Sequence, residues 1–222
     1  MGGDVLVNDE PATKAGQMVS LDSTIRLRGE EHPYVSRGAL KLLGAIKEFQ
    51  IPCEGRVALD VGASTGGFTQ VLLEAGATKV FAVDAGHNQL DWKIRQDPRV
   101  VVHEKTNARH MDYALIGQSV DIIVADVSFI SLEKILPSLT RFSLPGSTDW
   151  VTLIKPQFEV GREKVGKGCI VQDPQDRQQA VARVTEFAMS LGLERKGLID
   201  SPIAGTDGNQ EYLAHWRQRA DV

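Results

Sequence analysis

One segment constrains this sequence most: an apolar run, Val57–Val61, leads directly into the stretch Gly-Ala-Ser-Thr-Gly-Gly-Phe at 62–68. A helical pattern of apolar residues follows it to about residue 75. A strand that enters a glycine-rich turn and then a helix is typical of the ligand site of a doubly wound α/β fold. Glycine tolerates left-handed backbone and allows a ligand to approach closely. The segment therefore predicts a ligand-binding turn.

The rest of the chain from residue 56 repeats this alternation. Helical patterns cover 131–139 and 174 to about 191, and an earlier one covers 37–49 with Ser36 as its expected N-cap. The predicted strands are 57–61, 80–84, 100–103, 120–125, 150–154, 194–199 and 211–216. Nearly continuous apolar strands that alternate with helices predict an α/β fold with a doubly wound, mostly parallel sheet covered on both faces.

The spacing inside the loop separates ligand classes. A dinucleotide fingerprint has a glycine where this chain has Ser64, whose side chain would crowd a pyrophosphate, so a dehydrogenase is disfavoured. A phosphate-binding Walker loop needs Lys followed by Ser or Thr after its last glycine, and Phe68-Thr69 does not supply them. Asp84 ends the second predicted strand, about 20 residues after Gly62, where an acidic residue accepts hydrogen bonds from ribose hydroxyls. The alternative, that Asp84 caps a turn and Gly62 only makes a bend, stays open.

Five motifs occur in order along the chain. They are Ser-Arg-Gly-Ala-Leu-Lys-Leu at 36–42, Asp-Val-Gly-Ala-Ser-Thr-Gly-Gly-Phe at 60–68, Ala-Asp-Val-Ser-Phe-Ile-Ser-Leu at 125–132, Ile-Lys-Pro-Gln-Phe-Glu at 154–159 and Gly-Asn-Gln-Glu-Tyr at 208–212. Together they resemble the TlyA family, the FtsJ-like ribosomal RNA methyltransferases historically labelled hemolysins. The resemblance covers essentially the whole chain. It implies a class I methyltransferase, Rossmann-like, with an antiparallel last strand.

The resemblance also implies a Lys-Asp-Lys-Glu tetrad for methylation of ribose 2′-hydroxyls. The matching positions are Lys41, Asp126, Lys155 and Glu211. A 2′-hydroxyl is a poor nucleophile and its methyl donor is already activated, so much of the rate comes from positioning. We expect Lys155 to orient and deprotonate the hydroxyl, and the two carboxylates to hold the lysines and balance their charge. Taken singly, Lys41 is more consistent with a solvated helix lysine, Lys155 is equally consistent with a loop lysine, and Glu211 is consistent with the start of an edge strand.

S-adenosylmethionine is the cofactor that the resemblance implies, and no metal is expected. Since this cofactor has no phosphate, the loop need only pass along its methionyl part and ribose. The residues expected to bind it are Asp60, Gly62, Ala63, Ser64, Gly66, Gly67, Phe68, Asp84, Asn107 and Asp126. Asn107 falls where methyltransferases often contact the adenine, although a turn-forming role fits it as well. Gly86 and Gln89 are further candidates for the lining.

Residues 1–29 differ from the rest, with short strand candidates at 5–7, around Val19 and at 24–27, and no helical periodicity. They resemble the trailing half of an S4 RNA-binding module, whose turn into a strand matches Gly-Asp-Val-Leu-Val-Asn at 3–8. We therefore expect a partial S4 remnant at 1–29 and an FtsJ-like methyltransferase domain at 30–222. The groups expected to contact RNA phosphates are Lys14, Arg26, Arg28, Arg37 and the loop 161–168.

The formal net charge of −4 argues weakly against nucleic-acid binding, but a missing basic S4 half would account for it. No apolar run approaches the roughly 20 residues needed to cross a bilayer, and two distant cysteines indicate a reduced, cytoplasmic protein. The expected function is 2′-O-methylation of cytidine in 16S and/or 23S ribosomal RNA, with ribosomal RNA or subunits as partners. Alternatives are an RNA- or ribosome-binding protein that is inactive in this form and a membrane-lytic hemolysin; the oligomeric state stays open.

Overall fold

A computed structural model of the chain describes residues 5–12, 14, 16–27, 32–205 and 208–220. It divides into two compact units, Met1–Pro33 and Tyr34–Val222. The predicted contact residue Arg28, and the Gly-Asp pair at 3–4 that the S4 resemblance uses, lie outside the described residues. The assignment of residues 1–29 to an S4 remnant stays a prediction.

The first unit contains a small antiparallel sheet. Its strands are β1 (Val5–Val7), β2 (Glu10–Pro11) and β3 (Ile25–Leu27), in the order β2-β1-β3. Asn8 and Asp9 take left-handed backbone, with φ of 50° and 70°, and make the turn after β1. The candidate strand around Val19 is wrong, because residues 17–20 have no regular structure.

The second unit is built on a seven-stranded sheet in the order β6-β5-β4-β7-β8-β10-β9. Its strands are β4 (Val57–Val61), β5 (Lys79–Val83), β6 (Val100–His103), β7 (Ile122–Ala125), β8 (Asp149–Ile154), β9 (Leu193–Asp200) and β10 (Tyr212–Gln218). The pairs among β4 to β8 are parallel, and β10 runs antiparallel to both β8 and β9. The predicted doubly wound α/β class with an antiparallel last strand is confirmed.

Helices and two apolar clusters cover both faces of this sheet. The α-helices are α1 (Gly38–Phe49), α2 (Gly67–Glu74), α3 (Trp92–Arg95), α4 (Tyr113–Ile116), α5 (Leu136–Leu139), α6 (Pro156–Glu159) and α7 (Pro174–Ser190). Successive side chains of β8 point to opposite faces of the sheet. Trp150 packs in the cluster that includes Val184 of α7, and Val151 packs in the cluster that includes Leu42 of α1. This alternation is the period-two pattern of a strand buried on both sides.

Three local predictions are corrected. The helix at 131–139 is instead a 3-10 turn, Leu132–Lys134, followed by the single turn α5, because Pro137 has no N–H to donate to the carbonyl of Glu133. Ser36 does not cap α1 with its side chain; the N-cap is Arg37, without a side-chain cap bond. Val120 lies before β7 and makes only an isolated bridge to Ser143.

The amino ends of the strands are tied together by a buried carboxylate. Asp149, the first residue of β8, accepts hydrogen bonds from Arg56 Nη1, His215 Nε2 and Arg217 Nε, each at 2.8 Å. Burial raises the pKa of Asp149, but the hydrogen bonds from His215, Arg217 and Arg56 outweigh it and hold the pKa well below its usual range. The cluster joins β8, β10 and the residue before β4 at the edge opposite the carboxyl ends.

Candidate active site

Four predicted site residues follow the carboxyl ends of neighbouring strands. Gly62 follows β4, Asp84 follows β5, Asp126 follows β7 and Lys155 follows β8. Because parallel strands share one direction, their carboxyl ends meet at one edge of the sheet, which is where doubly wound folds bind ligands.

A cavity of about 480 Å³ opens at this edge. That volume lies within the range of small-molecule sites, roughly 300–1,000 Å³. The predicted cofactor residues that line it are Gly62, Ser64, Asp84, Asn107 and Asp126, and Gln89 lines it as well. A second cavity of about 140 Å³ is lined by Ala63, Gly67 and Phe68, together with Ser64, Asp126 and the start of α1. Asp60 and Gly66 line neither of these two cavities.

The glycine at position 62 allows the loop to approach β7 closely. Its backbone φ is +83°, and a Cβ there would collide with the carbonyl oxygen of Asp126. Ser64 also takes left-handed backbone, with φ of 48°. The strand-to-helix turn therefore has a conformation that few residue types adopt without strain.

Asp84 fixes the loops on both sides of the cavity. Its Oδ2 accepts a hydrogen bond from Ser64 N at 2.8 Å, and its Oδ1 accepts one from Gly86 N at 2.6 Å. Each carboxylate oxygen keeps a second lone pair, so the turn-capping role does not exclude bonds from a ribose. Asn107 likewise caps a 3-10 turn, since its Oδ1 accepts from Arg109 N at 3.0 Å, while it also lines the cavity.

Asp60 lies beneath the loop and is fully buried. One oxygen accepts from the Thr69 hydroxyl at 2.6 Å, and the other has no hydrogen-bond partner in the structure. Burial, with a smaller contribution from the nearby carboxylates of Asp126 and Asp84, raises the pKa of Asp60 to about 7. The carboxylates of Asp84 and Asp126 near the loop disfavour a pyrophosphate.

The predicted tetrad forms two ion pairs. Lys155 Nζ lies 2.6 Å from Asp126 Oδ1 and also donates to Ser128 Oγ at 2.9 Å. Lys41 Nζ donates to Glu211 Oε2 at 2.6 Å, and both of these side chains are buried.

Two observations show that these pairs lie close together. Tyr212 pairs with Ile154, so the register places Glu211 beside Lys155. At the start of α1, a Cβ on Gly38 would lie 4.0 Å from Asp126 Oδ2. The structure thus gathers all four tetrad residues at the carboxyl edge, from α1 and from the ends of β7, β8 and β10.

Sequence reasoning missed several residues of this site. Ser128 receives the hydrogen bond from Lys155, and Ser36 lines the smaller cavity. Phe129 is 91% exposed, with φ of +64°, and its ring centroid lies 5.2 Å from that of Phe158. All belong to motifs that the sequence singled out, but an aromatic in an apolar run is expected to be buried, and nothing local marks Phe129 as exposed.

The profile of the FtsJ-like methyltransferases matches residues 34–218. This chain belongs to the FtsJ-like methyltransferase family. The match spans both ion pairs and the cavity, so the family assignment rests on the part of the chain that contains the site.

Curated relatives within this family cover nearly the whole chain. The 16S/23S rRNA (cytidine-2′-O)-methyltransferase TlyA of Mycobacterium tuberculosis is 47% identical over 220 residues, which are 99% of this chain and 82% of that protein. Hemolysin A of Brachyspira hyodysenteriae is 42% identical over 217 residues, or 97% of this chain and 90% of that protein. A solved structure from Streptococcus thermophilus, described as a hemolysin, has a TM-score of 0.86 at 42% identity and covers 98% of this chain and 80% of its own.

The loop at 161–168, predicted to contact RNA phosphates, contains three basic residues. Arg162 and Lys167 are exposed, whereas Lys164 pairs with Asp176 at 2.8 Å. Asn209 holds the end of this loop, because it donates to Cys169 O at 2.9 Å and accepts from the Val171 amide at 3.2 Å. The other predicted contacts that the structure describes, Lys14, Arg26 and Arg37, are all exposed, and Arg26 forms an ion pair with Asp9.

Two features are absent from the described residues. No helix there is long and apolar enough to cross a membrane. No group of three or more His, Cys, Asp or Glu side chains in that part of the chain is arranged to hold a metal ion.

Proposed function

We propose that this chain is an S-adenosylmethionine-dependent RNA 2′-O-methyltransferase that modifies cytidine ribose in 16S and/or 23S ribosomal RNA. The observation that carries the proposal is the Lys155–Asp126 pair, which lies at the rim of a ligand-sized cavity and beside a second buried lysine–carboxylate pair. The choice of nucleotide and RNA rests on the names of the relatives, of which the Mycobacterium tuberculosis protein is a 16S/23S rRNA (cytidine-2′-O)-methyltransferase.

The cavity suits this cofactor on chemical grounds. S-adenosylmethionine carries a sulfonium and an ammonium, and the carboxylates of Asp84 and Asp126 in the cavity wall favour a cationic ligand. Asp84, with one lone pair left on each oxygen, is the residue we assign to the ribose hydroxyls. Bound there, the cofactor supplies a methyl group that is already activated for transfer.

The chain's own contribution is to aim the acceptor and move one proton. We assign to Lys155 the task of holding the RNA 2′-hydroxyl and, after its ammonium has released a proton to solvent, taking the hydroxyl proton on the neutral Nζ as the oxygen attacks. The positive charge that forms on Nζ is balanced by Asp126, 2.6 Å away. The Lys41–Glu211 pair holds α1 against the end of β10 and so fixes the far wall of the acceptor site.

Phe129 supports an RNA acceptor. An almost fully exposed phenyl ring on strained backbone, next to the serine that Lys155 contacts, presents a flat apolar surface at the site. Nucleobases stack on such rings with little dependence on sequence. We assign Phe129 to the target base or its neighbour, and the exposed Arg162 and Lys167 to phosphates. Residues 1–29, assigned to a partial S4 module, would add a second RNA contact.

Transfer of labelled methyl to ribosomal subunits that lack the modification tests the proposal. We expect label in a ribose 2′-O position with the unaltered chain, and a loss of about 10²- to 10⁴-fold in Lys155→Ala, the range that removal of a general base produces. Lys134→Ala is the matched control, because Lys134 is exposed in the 3-10 turn that follows the Asp126 loop. Equal activity in Lys155→Ala would refute the assigned base.

The hemolysin name of the Brachyspira hyodysenteriae relative raises a lytic function as a second candidate. Release of dye from loaded phospholipid vesicles measures it directly, and we expect none at concentrations that methylate RNA. An RNA-binding protein without activity, the remaining alternative, would bind S-adenosylhomocysteine and RNA but leave subunits unlabelled.

A further inference from the structure

Glu159 is a buried carboxylate that the reaction as described does not use. It ends α6, four residues after Lys155, and only 4% of it is exposed. Its Oε2 accepts from the Ser131 hydroxyl at 2.6 Å and its Oε1 accepts from the Leu132 amide at 2.8 Å. Both donors belong to residues 126–134, the loop that follows β7. This one side chain therefore joins that loop to α6.

Burying this group is costly. Burial raises the pKa of Glu159 to about 7, although the bonds from Ser131 and Leu132 and the charge of Arg183 lower it. An apolar side chain of similar volume would fill the same space without the desolvation penalty. A carboxylate at this position therefore indicates that the two hydrogen bonds themselves matter.

A helix packed behind the loop supports this arrangement. Arg183 of α7 donates to the carboxylate of Glu133 through Nε at 2.7 Å and Nη2 at 2.8 Å, and to the carbonyl of Glu159 through Nη1 at 3.2 Å. The Glu133 amide in turn donates to Ser131 Oγ at 3.2 Å. The loop, α6 and α7 thus share one polar network.

The segment from Lys155 to Glu159 meets the loop after β7 at three successive places. Lys155 pairs with Asp126, the rings of Phe158 and Phe129 are 5.2 Å apart, and Glu159 closes the far end of the loop. A misplacement of about 1 Å at a reacting group can cost about 100-fold in rate. A shift of the loop at Ser131 would therefore move Asp126 relative to Lys155 and lower the rate.

We propose that Glu159 is a positioning residue for methyl transfer: it fixes the loop after β7 on α6 and so sets the placement of Asp126 against Lys155. The effect on turnover rests on the proposed function, whereas the contact itself does not. Glu159 acts through the loop and touches neither substrate nor cofactor.

The test compares Glu159→Ala with Glu159→Gln and with Glu186→Ala. Glutamine can accept from the Leu132 amide and donate to the Ser131 oxygen, so it keeps both bonds. A surface cavity beside α6 and α7 is lined by both Glu159 and Glu186. Glu186 is an exposed carboxylate and serves as the matched control. Two quantities are measured: hydrogen exchange of the Leu132 amide in the protein alone, and kcat for RNA methylation at saturating S-adenosylmethionine.

We expect exchange of the Leu132 amide to accelerate at least about 10-fold in Glu159→Ala, because its acceptor is gone, and to stay slow in the other two variants. We expect kcat to fall about 10- to 100-fold in Glu159→Ala and to be restored by glutamine. Unchanged exchange in Glu159→Ala overturns the contact even if no RNA is methylated. Full kcat in Glu159→Ala overturns the positioning role while the proposed function stands.

A second variant covers the case in which Glu159→Ala folds poorly. Ser131→Ala removes one of the two donors and leaves the carboxylate bonded to Leu132. If the Ser131–Glu159 contact positions the loop, Ser131→Ala by itself lowers kcat while Glu186→Ala does not, and the Leu132 amide stays bonded to Glu159. Full kcat in a folded Ser131→Ala protein refutes the shared contact.

Discussion

The Lys41–Glu211 pair allows stability and catalysis to be separated. The Lys41 side chain is 10% exposed and that of Glu211 is 2% exposed, with 2.6 Å between the charged atoms. Removing one partner of such a pair leaves an uncompensated buried charge, which costs about 3–5 kcal/mol. Each kcal/mol lowers Tm by about 2–4 °C in a domain of this size, so Lys41→Met and Glu211→Leu should each lower Tm by roughly 6–20 °C.

The double variant Lys41→Met/Glu211→Leu removes both charges and keeps most of the volume. Replacement of a whole buried pair by apolar residues is often neutral or stabilising, so Tm should return to within a few degrees of the unaltered chain. Methyl transfer should stay lost, because the tetrad is then incomplete. Calorimetric melting and the subunit methylation assay decide the matter. A double variant that regains both Tm and activity would show that the pair is only structural. One that regains neither would show that the single variants lose stability through altered packing and not through an unpaired buried charge.

Three further outcomes follow from the structure. Alanine at Gly62 or at Gly117 takes left-handed backbone, which costs about 1–2 kcal/mol of stability in each variant. Only at Gly62 does the new Cβ collide with a carbonyl, so calorimetry should show loss of S-adenosylhomocysteine binding in Gly62→Ala alone. Phe129→Ala should raise the KM for RNA about 5- to 150-fold, from about 1–3 kcal/mol of stacking, without changing Tm. Asp149→Asn should cost about 3–5 kcal/mol at pH 7. Because the pKa of Asp149 is depressed, that contribution is present above pH of about 4 and is lost below it, so urea midpoints of the two proteins should converge in acid.

Local sequence signals predicted the central part of the fold well. The strand, glycine turn and helix at 57–74 lie within a residue of their predicted bounds. Apolar spacing and glycine positions determine the conformation of the residues next to them, so they can be interpreted from the local sequence. The helix at 131–139 was wrong because its apolar spacing was weighed without Pro137, which cannot take part in a continuous helix.

Contacts between distant segments could not be predicted in the same way. Glu159 stood in a noted motif, yet its role depends on Ser131 and Leu132, 28 and 27 residues earlier, which the β7–β8 pairing brings to it. The exposure of Phe129 depends on the same pairing. The positions of the four tetrad residues came from a resemblance, and their proximity became visible only once the register of β10 against β8 was known.

The place of β10 within the sheet makes the proposed site depend on residues 211–218. This strand is inserted between β8 and β9, and the residue just before it, Glu211, meets a lysine 170 positions earlier. A chain still being synthesised, or one cut ahead of residue 211, therefore lacks both an interior strand and one of the four proposed tetrad residues. We expect such a chain to show no methyl transfer at all, rather than partial activity. During translation, we expect activity only after residue 218, the end of β10, has been added.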